Sequence, residues 1–363
     1  MKLFFRVDAS SLIGSGHFMR CLALADEATS RGWKSIFVMR DPNTSIMDRL
    51  KFSGHELQLL TDNALITKPQ LDAHYHSHWL SVSQETDAIE TVKLIEKVDP
   101  DWVIVDHYAL DAKWLSIVKG SNVKILVIDD LGDRELICDL LLDQNLGATA
   151  EKYVGKLPVN CRLLLGPTFA LLRSEFREWR QRSLEGRMDR NVENILITMG
   201  GGDAENYTLR TLNEVTKSKY AKKCIFTVVV GGSYPHTDTL NEFVNESKLN
   251  VSVLSNVKNM AEIMSKSDLC IGAAGSTSWE RCCMGQPTIT FSIADNQIEI
   301  AEQLSIRNVA IYSNIGNLLR NFEQFFDVSG KELQRALSTN SRQICDGLGT
   351  FMVVEELEKK FEN

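Results

Sequence analysis

Short apolar runs alternate with amphipathic stretches along most of this 363-residue chain. LFFRV (3–7), SIFVM (35–39), ELQLL (56–60), WVIVD (102–106) and KILVIDD (124–130) are rich in branched and aromatic residues. Such runs read as strands buried on both faces of a sheet. Helical patterns lie between them. HFMRCLALADEATSRG ends on a glycine, and QETDAIETVKLIEKV carries Ala88, Val92 and Ile95 on one face. Strand and helix in alternation imply a parallel sheet covered on both sides.

The pattern changes after LLLGPTFALL. Residues 172–191, LRSEFREWRQRSLEGRMDRN, are dense in charge and lack strand signals, which predicts a linker. A second series then opens at NILITMGGGD and continues through CIFTVVVGG (224–232), NVSVLS (250–255), DLCIGA (268–273), PTITFSI (287–293) and NVAIY (308–312). Both halves begin with a strand, a Gly-rich turn and a helix. The expected architecture is α/β: two Rossmann-like domains facing each other across a cleft, residues 1–171 and 192–348. The apolar stripe of TFMVVEELEKKFE predicts that the last helix, 349–363, joins the first domain.

Composition narrows the class. Hydrophobic residues at 44% and charged residues at 24% are those of a globular protein. A net charge of -8 argues against nucleic acid as a partner, so any phosphate is held locally. No run approaches the ~18 apolar residues of a membrane span, and the expectation is a soluble, cytoplasmic protein, acting as a monomer. The eight cysteines show no C-x-x-C spacing and read as reduced thiols, mostly buried.

Loops at the carboxyl ends of parallel strands line ligand crevices, and the first such loop is DASSLIGSGH. Gly14 and Gly16 permit close backbone approach, and the helix start behind them offers N–H groups to an anion. The dinucleotide fingerprint is incomplete, because Arg20 and Cys21 occupy the region of its last glycine, which disfavours an NAD enzyme. His17 sits in the first helical turn. On spacing alone it is either a neutral base favoured by the helix dipole or an ordinary polar first-turn residue.

The strongest local signature is IGAAGSTSWERCCMGQPTITF (271–291). Gly275 makes a turn, and Ser276, Thr277 and Ser278 present hydroxyls and N–H groups at a helix start, a candidate anion cradle. Glu280 lies one turn on, placed either to accept from ribose hydroxyls or simply in solvent. VIVDHYAL places Asp106, His107 and Tyr108, and FSIADNQIEIA places Asp295, Asn296 and Gln297, at strand ends where ligands are met. Asn296 reads equally as a helix cap. In AHYHSHW an extended chain would put His74, His76 and His78 on one face like metal ligands. No matching carboxylate or cysteine lies nearby, so a surface loop is expected and no metal is assigned.

In combination, RVDASSLIGSGHFMRC, VDHY, VIDD, GPTFALLRSEF, ITMGGGD and GAAGSTSWERCCMGQP…NQ resemble the UDP-sugar hydrolases of pseudaminic acid biosynthesis, from the first strand to about residue 312. These act on UDP-2,4-diacetamido-2,4,6-trideoxy-β-L-altropyranose and are similar in fold to the GT-B glycosyltransferases. The resemblance implies a metal-independent, inverting hydrolase that needs no cofactor. Water is activated by His17, with Tyr108 and Asn296 beside it. UDP lies mainly on the second domain: Glu280 at the ribose, Gly275, Ser276 and Thr277 at the diphosphate, Leu254 and Met260 near the uracil. Gln297 adjoins this set, and Gly14 approaches the diphosphate from the first domain. The rival readings are a GT-B glycosyltransferase with a UDP-sugar donor and a non-catalytic UDP-sugar-binding protein.

Overall fold

The computed structural model describes residues 1–10, 13–60, 76–201, 203–232 and 234–359. The chain divides into two compact units, Met1–Arg173 with Gly349–Asn363, and Ser174–Leu348.

The first unit is built on seven parallel strands: β1 (Lys2–Val7), β2 (Lys34–Met39), β3 (Glu56–Leu59), β4 (Trp102–Asp106), β5 (Lys124–Ile128), β6 (Leu140–Asp143) and β7 (Arg162–Leu165). Their order is β3-β2-β1-β4-β5-β6-β7. β1, β2, β4 and β5 are almost wholly buried, as a sheet covered on both faces requires, whereas β3 at the edge is half-exposed. Helix α1 (Gly16–Ser30) follows β1 and packs Phe18, Cys21, Leu22 and Leu24 into the core. Helix Gln84–Val98 is capped by Ser83, which accepts from Thr86 N. Its buried face carries Asp87 and Thr91 alongside Ala88 and Ile95, with Val92 only half-buried.

Asp87 is there because β1 carries a buried arginine. Arg6 donates to both Asp87 oxygens at 3.0 and 2.8 Å and pairs with Asp8 at 2.8 Å. Arg40 and the Trp114 indole also reach Asp87. Buried charges persist only when paired in this way. The helix Gly349–Glu358 packs Val353, Val354 and Leu357 into the same core, and Arg31 holds Glu355 and Glu358, each at 2.5 Å.

The second unit has six parallel strands: β8 (Asn194–Thr198), β9 (Ile225–Val230), β10 (Asn250–Ser255), β11 (Leu269–Ala273), β12 (Thr288–Phe291) and β13 (Ile311–Tyr312). Their order is β10-β9-β8-β11-β12-β13. Residues 172–191 hold the helix Ser174–Leu184, grouped with this unit. Their charge serves the interior: Arg187 is buried and donates to the carbonyls of Ser267 at 2.7 Å and Met264 at 3.0 Å, and Arg180 to those of Arg342 and Cys345.

Both sheets reverse their winding between the first strand and the fourth. The crevice at such a switch point, beyond the carboxyl ends of the strands, is where open α/β sheets hold ligands. It falls between β1 and β4 in one unit and between β8 and β11 in the other.

Candidate active site

In the first unit the switch point brings His17 and Asp106 together. Val7, at the end of β1, pairs with Asp106, at the end of β4, so the loop into α1 lies beside that carboxylate. Gly14 turns the loop at φ +79°, a backbone conformation that disfavours any side chain, and donates to Ser10 O at 2.8 Å. His17 follows in the first turn of α1, 8% exposed. Its Nδ1 lies 2.6 Å from Asp106 Oδ1. A carboxylate accepts, so Nδ1 carries the proton, and in the neutral ring the lone pair lies on Nε2.

Asp106 is itself held. Arg20, one turn along α1, donates to Asp106 Oδ2 at 2.6 Å and Oδ1 at 2.7 Å, and reaches Asp130 at 3.2 Å. Tyr108 donates to Asp130. Burial works to raise the Asp106 carboxyl, but the charges and hydrogen bonds of Arg20 and His17 outweigh it and hold it well below the carboxylate range. Burial and the Asp130 carboxylate push the Tyr108 phenol well above its ordinary value, so it stays protonated and a donor. The Tyr108 ring meets His17 edge-on at 4.6 Å.

His107 turns the other way along the extended chain. It is buried, its Nε2 is 3.2 Å from Asp8 Oδ2, and its Nδ1 accepts from Ala109 N. Instead of standing at the strand mouth it braces β4 against β1.

Asp8, Asp87, Asp106 and Asp130 are thus all held below their usual value of 3.8, in each case by partners that outweigh burial, arginines foremost among them. A carboxylate depressed in the folded state adds stability above its unfolded value and loses it as pH falls through the folded one. Asp143 is raised and offsets part of this. The first unit's stability is therefore expected to fall steadily as pH drops from about 5 to 2. Melting temperatures at pH 7, 5 and 3 check this; a flat profile would contradict the buried pairs.

In the second unit, β11 delivers Gly275 and Ser276 to the start of the helix Thr277–Cys283. Trp279 is fully buried, and Arg281 donates to Ala273 O at 2.8 Å and Ser278 Oγ at 2.9 Å, fixing the turn. Ser278 therefore faces inward, while Ser276 is exposed and Gly275, Thr277 and Glu280 are less open to solvent. Ser276 precedes the helix without a side-chain cap bond. Gln297 approaches the same turn: its Nε2 lies 3.7 Å from where a side chain on Gly275 would start, and its Oε1 accepts from Ile293 N at 3.0 Å. Asn296 beside it is exposed within the 3-10 turn Asp295–Gln297 and caps neither that turn nor the helix Ile298–Ile306. Leu254, 38% exposed, lies near the end of β10, and Met260, 8% exposed, starts the helix Met260–Lys266, on a segment apart from the Gly275 turn.

In the sequence Asp106 carries no specific role, Arg20 figures only as a residue that breaks the dinucleotide fingerprint, and Asp130 and Trp79 are not singled out. The three-residue step from His17 to Arg20 on one helix face, and the paired aspartates of VIDD, were the available signals. His74 lies outside the described residues. His76 and His78 do not lie on an extended chain: His76 leads into the 3-10 turn Ser77–Trp79 and packs on Trp79 and Tyr108, while His78 is exposed.

Comparison with solved structures fixes the fold. The chain superimposes on MurG of Acinetobacter baumannii with a TM-score of 0.66, covering 99% of this chain and 100% of that one at 14% identity. The fold is GT-B. A second GT-B structure, Phytolacca americana UGT2 complexed with UDP-2fluoro-glucose and pterostilbene, gives a TM-score of 0.67 with 99% of each chain covered at 14% identity. Residues 194–321, most of the second GT-B unit, match the glycosyltransferase family 28 C-terminal domain. By sequence, the chain is 28% identical over 277 residues to the UDP-2,4-diacetamido-2,4,6-trideoxy-beta-L-altropyranose hydrolase of Campylobacter jejuni, covering 76% of this chain and 86% of that protein. The resemblance carried by the motifs is thus to that relative. Among the described residues no helix is long and apolar enough to cross a membrane.

Proposed function

We propose that the chain hydrolyses UDP-2,4-diacetamido-2,4,6-trideoxy-β-L-altropyranose, breaking the bond between the anomeric carbon and the UDP oxygen and inverting that carbon. The observation that carries the reading is the 2.6 Å contact of His17 Nδ1 with Asp106. It leaves Nε2 as the free base of a His–Asp pair, and the carboxylate stabilises the imidazolium formed when water loses its proton. Arg20 keeps Asp106 ionised and oriented, and Tyr108 is the protonated hydroxyl beside the ring.

The transition state has oxocarbenium character, with negative charge growing on the departing diphosphate. Backbone N–H groups at Ser276 and Thr277 are the assigned partners of that charge, so no metal is required. Glu280 takes the ribose hydroxyls, Gln297 and Asn296 the neighbouring polar groups, and Leu254 and Met260 the uracil. UDP is a good leaving group, which removes the need for the acid that paired-carboxylate glycosidases use. The substrate for which the Campylobacter jejuni relative is named, and the UDP-2fluoro-glucose complexed with the plant protein, support the substrate class.

The family 28 domain favours a second reading, a glycosyltransferase in which the same base deprotonates an acceptor hydroxyl. Purified protein incubated with the UDP-sugar alone separates the readings. The hydrolase releases UDP with no acceptor present; release only with an acceptor favours the transferase, and tight binding without turnover favours a sensor.

A further inference from the structure

Trp79 has a placement that the mechanism above does not use. It closes the turn Ser77–Trp79, where its backbone N–H donates to His76 O at 3.0 Å, while the next residue, Leu80, is buried in the core. Leu80 anchors the segment, leaving the indole half-exposed. Its ring neighbours belong to the candidate site. Trp79 stacks on Tyr108 with centroids 5.3 Å apart and planes 24° apart, meets His17 edge-on at 5.7 Å, and packs with His76 at 4.6 Å. His76 in turn lies 5.1 Å from Tyr108. Burial lowers the His76 imidazole below its ordinary value, which favours the uncharged ring.

An aromatic wall beside the base suits a particular kind of sugar. Ordinary hexoses present hydroxyls that need polar partners, whereas the diacetamido trideoxy sugar ends in methyl groups at C6 and on both acetamido groups. Methyl and C–H faces pack on indole and phenol rings without stranding a polar group. We propose that Trp79, stacked on Tyr108 beside His17, is the wall that receives this methyl-rich sugar and sets the preference for it over hydroxylated UDP-hexosamines. The proposal rests on the hydrolase reading and assigns Trp79 a part in specificity, with no proton transfer of its own.

The test compares wild type, Trp79→Ala and Trp79→Phe on two substrates, the UDP-diacetamido trideoxy sugar and UDP-N-acetylglucosamine, whose C6 carries a hydroxyl. Affinity for UDP alone is measured alongside. A methyl group in an apolar pocket discriminates by roughly 10- to 200-fold, so Trp79→Ala is expected to lose about tenfold or more in kcat/KM for the trideoxy sugar, mainly through KM. It keeps its UDP affinity and loses little on UDP-N-acetylglucosamine, and Trp79→Phe recovers most of the loss. An unchanged kcat/KM for the trideoxy sugar, or an equal loss on both substrates, would overturn the proposal. If wild type releases no UDP, the hydrolase reading falls separately. The wall is then read from the extra affinity of UDP-sugar over UDP. Loss of that increment in Trp79→Ala supports the proposal, and its persistence, or its absence from wild type, overturns it.

Discussion

His17→Asn lowers the rate of UDP release by about 10²-fold or more, with UDP affinity kept within a few-fold of wild type. The asymmetry follows from when the imidazole is needed. Water loses its proton only as the anomeric carbon is attacked, so the base stabilises the transition state and contributes little to the bound ground state. UDP is assigned to the second unit, where His17 has no part. Asparagine fits the same place in α1 and can still face Asp106 with its amide, so the helix and the Asp106–Arg20 pair survive. His17→Phe removes the base and the Asp106 contact together, and gives a loss at least as large. Steady-state rates and calorimetric UDP binding check both variants; full turnover in His17→Asn would remove the base from this account.

The second large effect is at Asp106. Asp106→Asn is expected to cost about 10²- to 10⁴-fold in kcat, because an amide N–H facing Nδ1 turns the imidazole to the other tautomer and occupies Nε2 with the proton. This substitution also touches the fold. Arg20 is buried and makes two of its hydrogen bonds to Asp106, at 2.6 and 2.7 Å, leaving Asp130 at 3.2 Å as its remaining carboxylate. Breaking one side of a buried pair costs on the order of 3 kcal/mol, read as a lower melting temperature. Arg20→Lys separates the two consequences: it keeps the charge beside Asp106 and loses the two-pronged grip, so stability falls while the tautomer is retained. A kcat for Asp106→Asn within threefold of wild type, measured well below its melting temperature, would show that the pair does not orient the base.

Much of the scaffold was legible because buried parallel strands announce themselves. β1, β2, β4 and β5 are continuous branched and aromatic runs, and the helices after β1 and β11 carry their glycines and hydroxyls just ahead of them. β6 and β7 escaped, since Leu140–Asp143 and Arg162–Leu165 are four residues each and follow one another without a long helix between. The helix Ser174–Leu184 escaped for the opposite reason: its dense charge reads as a linker, yet Arg180 reaches three buried or half-buried carbonyls.

The site divides along the same line. His17, Tyr108, Gly275 and Glu280 stand next to glycines, strand ends or helix starts, which are local signals. Asp106 acquires its meaning from a partner 89 residues away, brought beside it by the pairing of β1 with β4. Trp79 was hidden inside a histidine pattern that invited a metal. Only the turn that separates His76 from His78 shows the indole to be the residue facing Tyr108 and His17.

The most direct test is the reaction run on the UDP-diacetamido trideoxy sugar alone in water enriched in oxygen-18, with the first-formed anomer followed by proton NMR. The label is expected to enter the sugar at its anomeric carbon, UDP to carry none, and the first anomer to have the inverted configuration. Label in the UDP phosphate, or no UDP released until an acceptor is supplied, would contradict it.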